Sequence, residues 1–239
     1  MLGSLLFACA AVAAKPVAVM VHGAGGGGWE YRFWKPVFEK AGYKVIAKDL
    51  VPAKGGLEKT TVDDYVAQIC RDGGDHPAVL IGASMGGVLV LKAAEKLHPK
   101  AIVLVCSTSP KEANPPAAEP QKYPAIVRWK GGPYKDTVDS MPDSDEAARK
   151  YAWPRWRDES GTVLNAISAG VSTKKPNCPV LCVIPGADDT IPPEKQQKLA
   201  EWCGADVMRF HGMSHVGTLM SRRGGEVASL VVAWLARRL

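Results

Sequence analysis

Residues 78–94 read AVLIGASMGGVLVLKAA, and this stretch decides the fold. Its first four residues form an apolar run that predicts a buried strand, and the residues after the G-x-S-x-G motif are typical of a helix. A sharp turn that lifts Ser84 above a strand end crowds the backbone, so glycine is needed at Gly82 and Gly86. The stretch therefore predicts a strand, a tight turn that exposes Ser84 as a nucleophile, and a helix whose first N–H, that of Met85, can stabilise a developing negative charge.

The rest of the chain alternates apolar runs with helical patterns. Its 239 residues are 46% apolar, which is enough to bury one substantial core. The alternation predicts an α/β domain with a mostly parallel sheet of about six strands flanked by helices. The predicted strands are Val17–Val21, Lys44–Lys48, Ala78–Ile81, Ala101–Val105, Val180–Ile184 and Val207–Phe210.

The alternation stops between residues 107 and 175, where five prolines fall between Pro110 and Pro124. We interpret this region as a cap or lid inserted into a core made of residues 15–106 and 176–239. The insertion carries three tryptophans that we expect to line a substrate pocket beneath the cap. The alternative is that they only pack the insertion onto the sheet. These residues are Trp129, Trp153 and Trp156.

A serine hydroxyl is a poor nucleophile at its ordinary pKa, so Ser84 requires a base, and the base requires an orienting partner. Of the five histidines, His215 lies in the loop between the last predicted strand and the last predicted helix, and it is the predicted base. The acid is expected after the preceding strand, where Asp188 and Asp189 stand. Asp188 is preferred and Asp189 remains the alternative. The spacing of His211 and His215 resembles a zinc-binding pair, but a glycine-containing loop would not hold both rings on one face, so no metal is predicted.

The glycine-rich loop after the first strand, HGAGGGG over residues 22–28, allows two interpretations. It matches the G-x-G-x-x-G pattern of dinucleotide-binding folds, with Asp49 at about the separation of a ribose-binding acid. In a hydrolase, the same loop would bring the N–H of Ala24 opposite that of Met85 and complete an oxyanion hole. The hydrolase interpretation is favoured because it also explains Ser84, the acid and His215.

With these residues the chain resembles the α/β-hydrolase superfamily, from His22 to the C-terminus apart from the insertion. The loop from His22 to Trp29 and the acid loop DDTIPPE, residues 188–194, are similar to the plant methyl-esterase and hydroxynitrile-lyase branch. In that branch the residue matching Asp188 is the triad acid, and Trp29, which closes the loop motif, is expected among the substrate-binding residues. One departure is Ala83, where the branch commonly has histidine.

The resemblance implies an α/β-hydrolase fold and hydrolysis of a small or medium carboxylic ester through an acyl-enzyme, with no cofactor and no metal. A lyase or C–C hydrolase is an alternative on the same fold, because the triad does not specify the bond that breaks. A non-catalytic ligand-binding protein is a second alternative. A dinucleotide-binding oxidoreductase is the third alternative. The expected partner is a small-molecule ester, and the oligomeric state is not predicted.

Composition excludes other classes of partner. The net charge of +6 comes without a dense basic block, so nucleic-acid binding is not expected. Residues 1–14 are apolar and have the length of a signal-peptide core, but no Lys or Arg precedes the apolar run, so the cytoplasm is favoured over secretion. The run is too short to span a membrane, and no stable membrane anchor is expected. The six cysteines have no metal-binding or redox spacing.

Overall fold

The strands of the protein form one large sheet and one small sheet in a computed structural model that describes residues 15–75 and 77–239. The apolar N-terminal segment, residues 1–14, and His76 lie outside the described residues. The strands in chain order are β1 (Val17–Val21), β2 (Lys44–Ile46), β3 (Val79–Ala83), β4 (Ala101–Val105), β5 (Ile126–Val127), β6 (Glu159–Ser160), β7 (Val180–Pro185) and β8 (Asp206–Phe210). Six of them pair in parallel in the order β2-β1-β3-β4-β7-β8. The predicted α/β architecture is confirmed.

Strand β2 is shorter than predicted, because it stops at Ile46 and not at Lys48. The backbone beyond it packs on the glycine-rich loop: a Cβ on Gly28 would lie 2.0 Å from the carbonyl oxygen of Ala47. The N–H of Gly28 also donates to Asp49 Oδ1 at 2.8 Å. These contacts replace the continued pairing of β2 with β1.

The helices cover both faces of the sheet. They are α1 (Lys35–Lys40), α2 (Val62–Gly73), α3 (Met85–Leu97), α4 (Tyr134–Ser140), α5 (Glu146–Ala152), α6 (Gly161–Ala169), α7 (Pro193–Cys203), α8 (Gly217–Met220) and α9 (Gly224–Arg238). Local sequence explains where they begin. At α2, the Thr61 hydroxyl accepts from the N–H of Asp64, and the Asp64 carboxylate accepts from the N–H of Thr61, which is a capping box.

Successive strand residues point to opposite faces of the large sheet and belong to two separate apolar clusters, one on each face. Helices α1 and α9 pack against the cluster that contains Val103 and Leu181. Helices α2, α3 and α7 pack against the cluster that contains Leu80 and Leu104. The core is therefore a helix–sheet–helix sandwich, and the carboxyl ends of β3, β7 and β8 open at one edge of the sheet.

The chain between β4 and β7 carries β5, β6 and helices α4 to α6, and we refer to residues 107–175 as the cap segment. Its two short strands pair antiparallel and do not join the large sheet. Across the described part of the chain, no helix has the length and apolar character needed to cross a membrane.

Candidate active site

Ser84 lies in the sharp turn between β3 and α3, as the sequence predicts. Its φ of +49° and ψ of −119° lie outside the conformations that a side chain ordinarily allows, a strain of about 1–3 kcal/mol. The two glycines of the motif are sterically required. A Cβ on Gly82 would lie 2.3 Å from the carbonyl oxygen of Gly86, and a Cβ on Gly86 would lie 2.3 Å from that of Val21. The turn is held by the Ser84 carbonyl, which accepts from both the N–H and the hydroxyl of Thr108 at 3.0 Å.

The structure brings Ser84, His215 and Asp188 together. Ser84 Oγ and His215 Nε2 are 2.9 Å apart, and His215 Nδ1 lies 2.8 Å and 3.0 Å from the two carboxylate oxygens of Asp188. With Nδ1–H donating to Asp188, Nε2 carries the lone pair that can accept the serine proton. The three side chains therefore have the geometry of a nucleophile, a base and an orienting acid.

Asp188, and not Asp189, is the partner of His215. Its side chain is fully buried, and besides His215 its carboxylate accepts the N–H groups of Thr190 at 3.0 Å and Ile191 at 2.8 Å. The buried amide of Gln196 donates to the second oxygen at 2.8 Å. Several donors stabilise the ionised form of a buried carboxylate. Asp189 is exposed, and its carboxylate accepts only from the Thr190 hydroxyl, at 3.4 Å, among the described residues.

The glycine-rich loop reaches Ser84 from the end of β1. A Cβ on Gly23 would lie 3.1 Å from the Cβ of Ser84, so the loop backbone and the nucleophile are in contact. The N–H groups of Gly23, Gly25 and Gly28 donate to carboxylates of Glu30, Glu159 and Asp49, respectively. No hydrogen bond among the described residues uses the N–H of Ala24 or of Met85. These two predicted oxyanion donors are thus available to a ligand.

The same contacts disfavour the dinucleotide interpretation of the loop. A pyrophosphate would need the loop N–H groups that the protein's own carboxylates already bind. It would also meet their negative charges at close range. Asp49, the candidate ribose-binding acid, instead accepts from Gly28.

His22 anchors the loop and takes no part in the site chemistry. Its ring is buried, with Nδ1 at 2.7 Å from the carbonyl oxygen of Gly23 and Nε2 accepting from the N–H of Leu50 at 2.9 Å. Burial lowers the pKa of His22. A neutral imidazole with a proton on Nδ1 satisfies both contacts.

Glu30 is a site residue that the sequence analysis missed. Its carboxyl group is buried, lines the cavity beside Ser84, and accepts from the N–H of Gly23 at 3.1 Å. Burial raises the pKa of Glu30 to about 7. The available signal was an acid placed between two aromatic residues, Trp29 and Tyr31.

Cys106, which directly follows β4, also lines the cavity. It has a positive φ of 40°, and burial raises its pKa well above the ordinary thiol value. The five cysteines of the described part are all free thiols.

A cavity of about 490 Å³ lies between Ser84 and the cap segment. Three of the four predicted substrate-binding tryptophans line it: Trp129, Trp153 and Trp156. The role of the fourth, Trp29, stays a prediction. This side chain is not among the residues that line the cavity, and it packs edge-on against Trp156, with ring centroids 5.0 Å apart. Its ring also lies beside Gly27, where a Cβ would be 2.6 Å from Trp29 Cδ1. No cluster of three or more His, Cys, Asp or Glu suited to a metal ion occurs in residues 15–75 and 77–239.

Comparison with known proteins gives several partial matches. Salicylic acid-binding protein 2 of Nicotiana tabacum is 37% identical over 90 residues, which are 34% of this chain and 35% of that protein. Methylesterase 9 of Arabidopsis thaliana is 30% identical over 115 residues, 44% of this chain and 45% of that protein. The carbendazim hydrolyzing esterase of Nocardioides sp. (strain SG-4G) is 31% identical over 98 residues, 36% of this chain and 39% of that protein. The matched part thus spans less than half the length of these curated relatives, and the plant proteins among them support the plant branch.

Solved structures match over almost the whole chain. The H243A variant of tomato methylketone synthase I has a TM-score of 0.73 at 14% identity and covers 95% of this chain and 99% of its own. The monoacylglycerol lipase of Paleococcus ferrophilus has a TM-score of 0.71 at 22% identity and covers 95% and 97%. At these identities the likeness shows the fold. The model of the alpha/beta hydrolase family matches residues 18–230, and with the elbow and the sheet order this establishes that the chain belongs to the α/β-hydrolase family.

Proposed function

We propose that the protein is a serine hydrolase that cleaves small or medium carboxylic esters through an acyl-enzyme. The observation that carries the proposal is the chain of hydrogen bonds from Ser84 Oγ through the imidazole of His215 to the buried carboxylate of Asp188. The esterases among the relatives support it at the level of the family.

The reaction follows from this geometry. Ser84 Oγ attacks the ester carbonyl while His215 Nε2 takes the serine proton, and Asp188 stabilises the imidazolium that forms. The N–H groups of Ala24 and Met85 stabilise the negative oxygen of the tetrahedral intermediate. His215 then gives its proton to the departing alcohol, which leaves an acyl group on Ser84.

Deacylation repeats these steps with water as the nucleophile. His215 Nε2 removes a proton from the water, which attacks the acyl carbonyl, and the proton passes to Ser84 Oγ as the carboxylic acid leaves. The cavity of about 490 Å³ has the size of a small-molecule site, and its tryptophans provide an apolar wall for the substrate.

The test is turnover of p-nitrophenyl esters of increasing acyl length, combined with labelling by a fluorophosphonate probe. Ser84→Ala should lower turnover by at least about a thousandfold and abolish labelling. Ser229→Ala is the matched control, because this hydroxyl is exposed and, among the described residues, bonds only to the Gly225 carbonyl in α9. Equal turnover and equal labelling in Ser84→Ala and Ser229→Ala would contradict the proposal.

A further inference from the structure

The cap segment touches the loop of His215 through one carboxylate, that of Asp143. Asp143 Oδ2 accepts from the N–H of Ser214 at 3.0 Å, and Oδ1 accepts from the Ser214 hydroxyl at 2.5 Å. Ser214 is buried and directly precedes His215. The carboxylate also packs on Gly217, where a Cβ would lie 2.0 Å from Oδ2. Asp143 therefore fixes the backbone on which the imidazole is mounted.

A second carboxylate of the cap segment, that of Glu159, binds the glycine-rich loop. The N–H of Gly25 donates to Glu159 Oε2 at 3.1 Å, and the Gly25 carbonyl accepts from the N–H of Arg157 at 2.7 Å. Glu159 is itself buried and held by the Tyr65 hydroxyl at 2.7 Å. Both backbone groups of Gly25 are thus bound by β6 and the residues before it. Gly25 directly follows Ala24, the predicted oxyanion donor.

We infer that Asp143 and Glu159 are positioning residues, which make the cap segment a part of the catalytic framework as well as a cover. This inference rests on the proposed function, because it concerns the same site. Asp143 holds the base in line with Ser84, and Glu159 holds the Ala24 N–H where the oxyanion develops. Neither carboxylate lines the cavity, so neither is placed to contact the substrate.

The geometry explains why each contact matters for chemistry more than for binding. Each carboxylate binds the backbone of the residue next to a catalytic group, and small displacements of such groups are costly. A misplacement of about 1 Å can lower a rate by on the order of a hundredfold. A cover that only shields the pocket would instead affect substrate and transition state alike.

The test uses two variants and two controls from the same segment. Asp143→Ala removes two hydrogen bonds to the core, whereas its control Asn165→Ala removes two hydrogen bonds to Tyr123 within the cap segment. Glu159→Gln keeps the size of the side chain but loses its charge and one acceptor. Its control, Glu112→Gln, changes a carboxylate that accepts from Ser172 and Thr173, also within the segment.

Ester kinetics and two ketone ligands provide the first readout. We expect Asp143→Ala and Glu159→Gln to lower kcat by roughly tenfold to a hundredfold with little change in KM. Binding of a trifluoromethyl ketone, which adds to Ser84 and forms an oxyanion, should weaken in parallel. Binding of the methyl ketone of the same chain length, which forms no adduct, should be unchanged. A rise in KM alone, or equal weakening of both ketones, would overturn the inference.

Amide hydrogen exchange provides a readout that needs no turnover. Asp143→Ala should speed exchange at residues 214–217 and leave residues 23–26 protected, and Glu159→Gln should do the reverse. Unchanged exchange at both loops would overturn the inference. Failure of the proposed function looks different: the unmodified protein would then show no turnover that depends on Ser84, while the two exchange patterns would still appear.

Discussion

The buried carboxyl group of Glu30 predicts an unusual dependence of stability on pH. Glu30→Gln is the informative change, because glutamine has nearly the same shape, can still accept from the N–H of Gly23, and stays neutral at every pH. Burial raises the pKa of Glu30 to about 7, against an ordinary value of 4.5. This value of the pKa includes a smaller increase from the repulsion of Asp49 and a decrease from the hydrogen bond that the N–H of Gly23 donates.

The sign and the size of the effect follow from proton linkage. Below the ordinary pKa the carboxyl group is neutral in both the folded and the unfolded state, so it does not change the free energy of unfolding. As the pH rises from 4.5 to about 7, the unfolded chain releases a proton that the folded protein keeps, so the free energy of unfolding falls. At 1.36 kcal/mol for each pH unit, this interval corresponds to about 3 kcal/mol. Above this pH interval the loss of stability stays constant, because the carboxyl group is ionised in both the folded and the unfolded state.

Urea unfolding at pH values from about 4 to about 8 measures this effect. The stability of Glu30→Gln relative to the unmodified protein should rise by about 3 kcal/mol across the interval and then level off. Glu226→Gln is the control. The hydrogen bond to Arg223 lowers the pKa of Glu226, so this variant should gain no stability as the pH rises. Stability curves for Glu30→Gln and the unmodified protein that run parallel at all pH values would refute the reasoning.

Three further predictions concern packing, the acid and the thiols. Gly86→Ala should lower the free energy of unfolding by several kcal/mol or prevent folding, because the new Cβ would lie 2.3 Å from the backbone of Val21. Gly225→Ala, whose new Cβ has its nearest neighbour at 4.0 Å, should stabilise α9 by about 0.5–1 kcal/mol, and thermal melting of the two variants compares these effects. Gln196→Met withdraws one donor from the triad acid and should lower kcat/KM by about tenfold in ester assays, and an unchanged value would contradict its role. In alkylation followed by mass mapping, the half-buried Cys70 and Cys178 should react before the three buried thiols of the described residues, and simultaneous reaction would show that the native structure does not protect them.

The fold was predictable from local patterns. Each central strand is an apolar run such as Ala101–Val105, and the G-x-S-x-G motif identifies the turn after β3 without any long-range information. The strand ends were less predictable. Strand β2 stops at Ile46 because the glycine-rich loop packs on the backbone beyond it. This contact joins segments some 20 residues apart, so the local sequence pattern does not indicate it.

The candidate site was predictable only in part. Chain order selects Ser84 and His215, and the acid loop, similar to that of the plant branch, favours Asp188. Adjacent carboxylates have the same chemistry, however, so Asp189 stayed open until the loop geometry separated the two. Trp29 follows the motif of the branch, yet its ring direction depends on packing against Trp156. The contact of Glu159 with Gly25 joins residues 134 positions apart and uses a backbone N–H, which every residue except proline has.

The register between β1 and β3 has a consequence for how a protein with this fold can evolve. Val21, just before the glycine-rich loop, pairs with Gly82, just before the nucleophile. Side chains alternate across a sheet, so a slip of one residue would turn every core side chain of a strand to the opposite face. The register between the strand that ends before the glycine-rich loop and the strand that ends before Ser84 can therefore change only in whole residues, and single substitutions cannot shift it gradually. Under the proposed function, adaptation to new substrates would therefore fall to the loops and to the cap-segment residues that line the cavity, and not to the sheet.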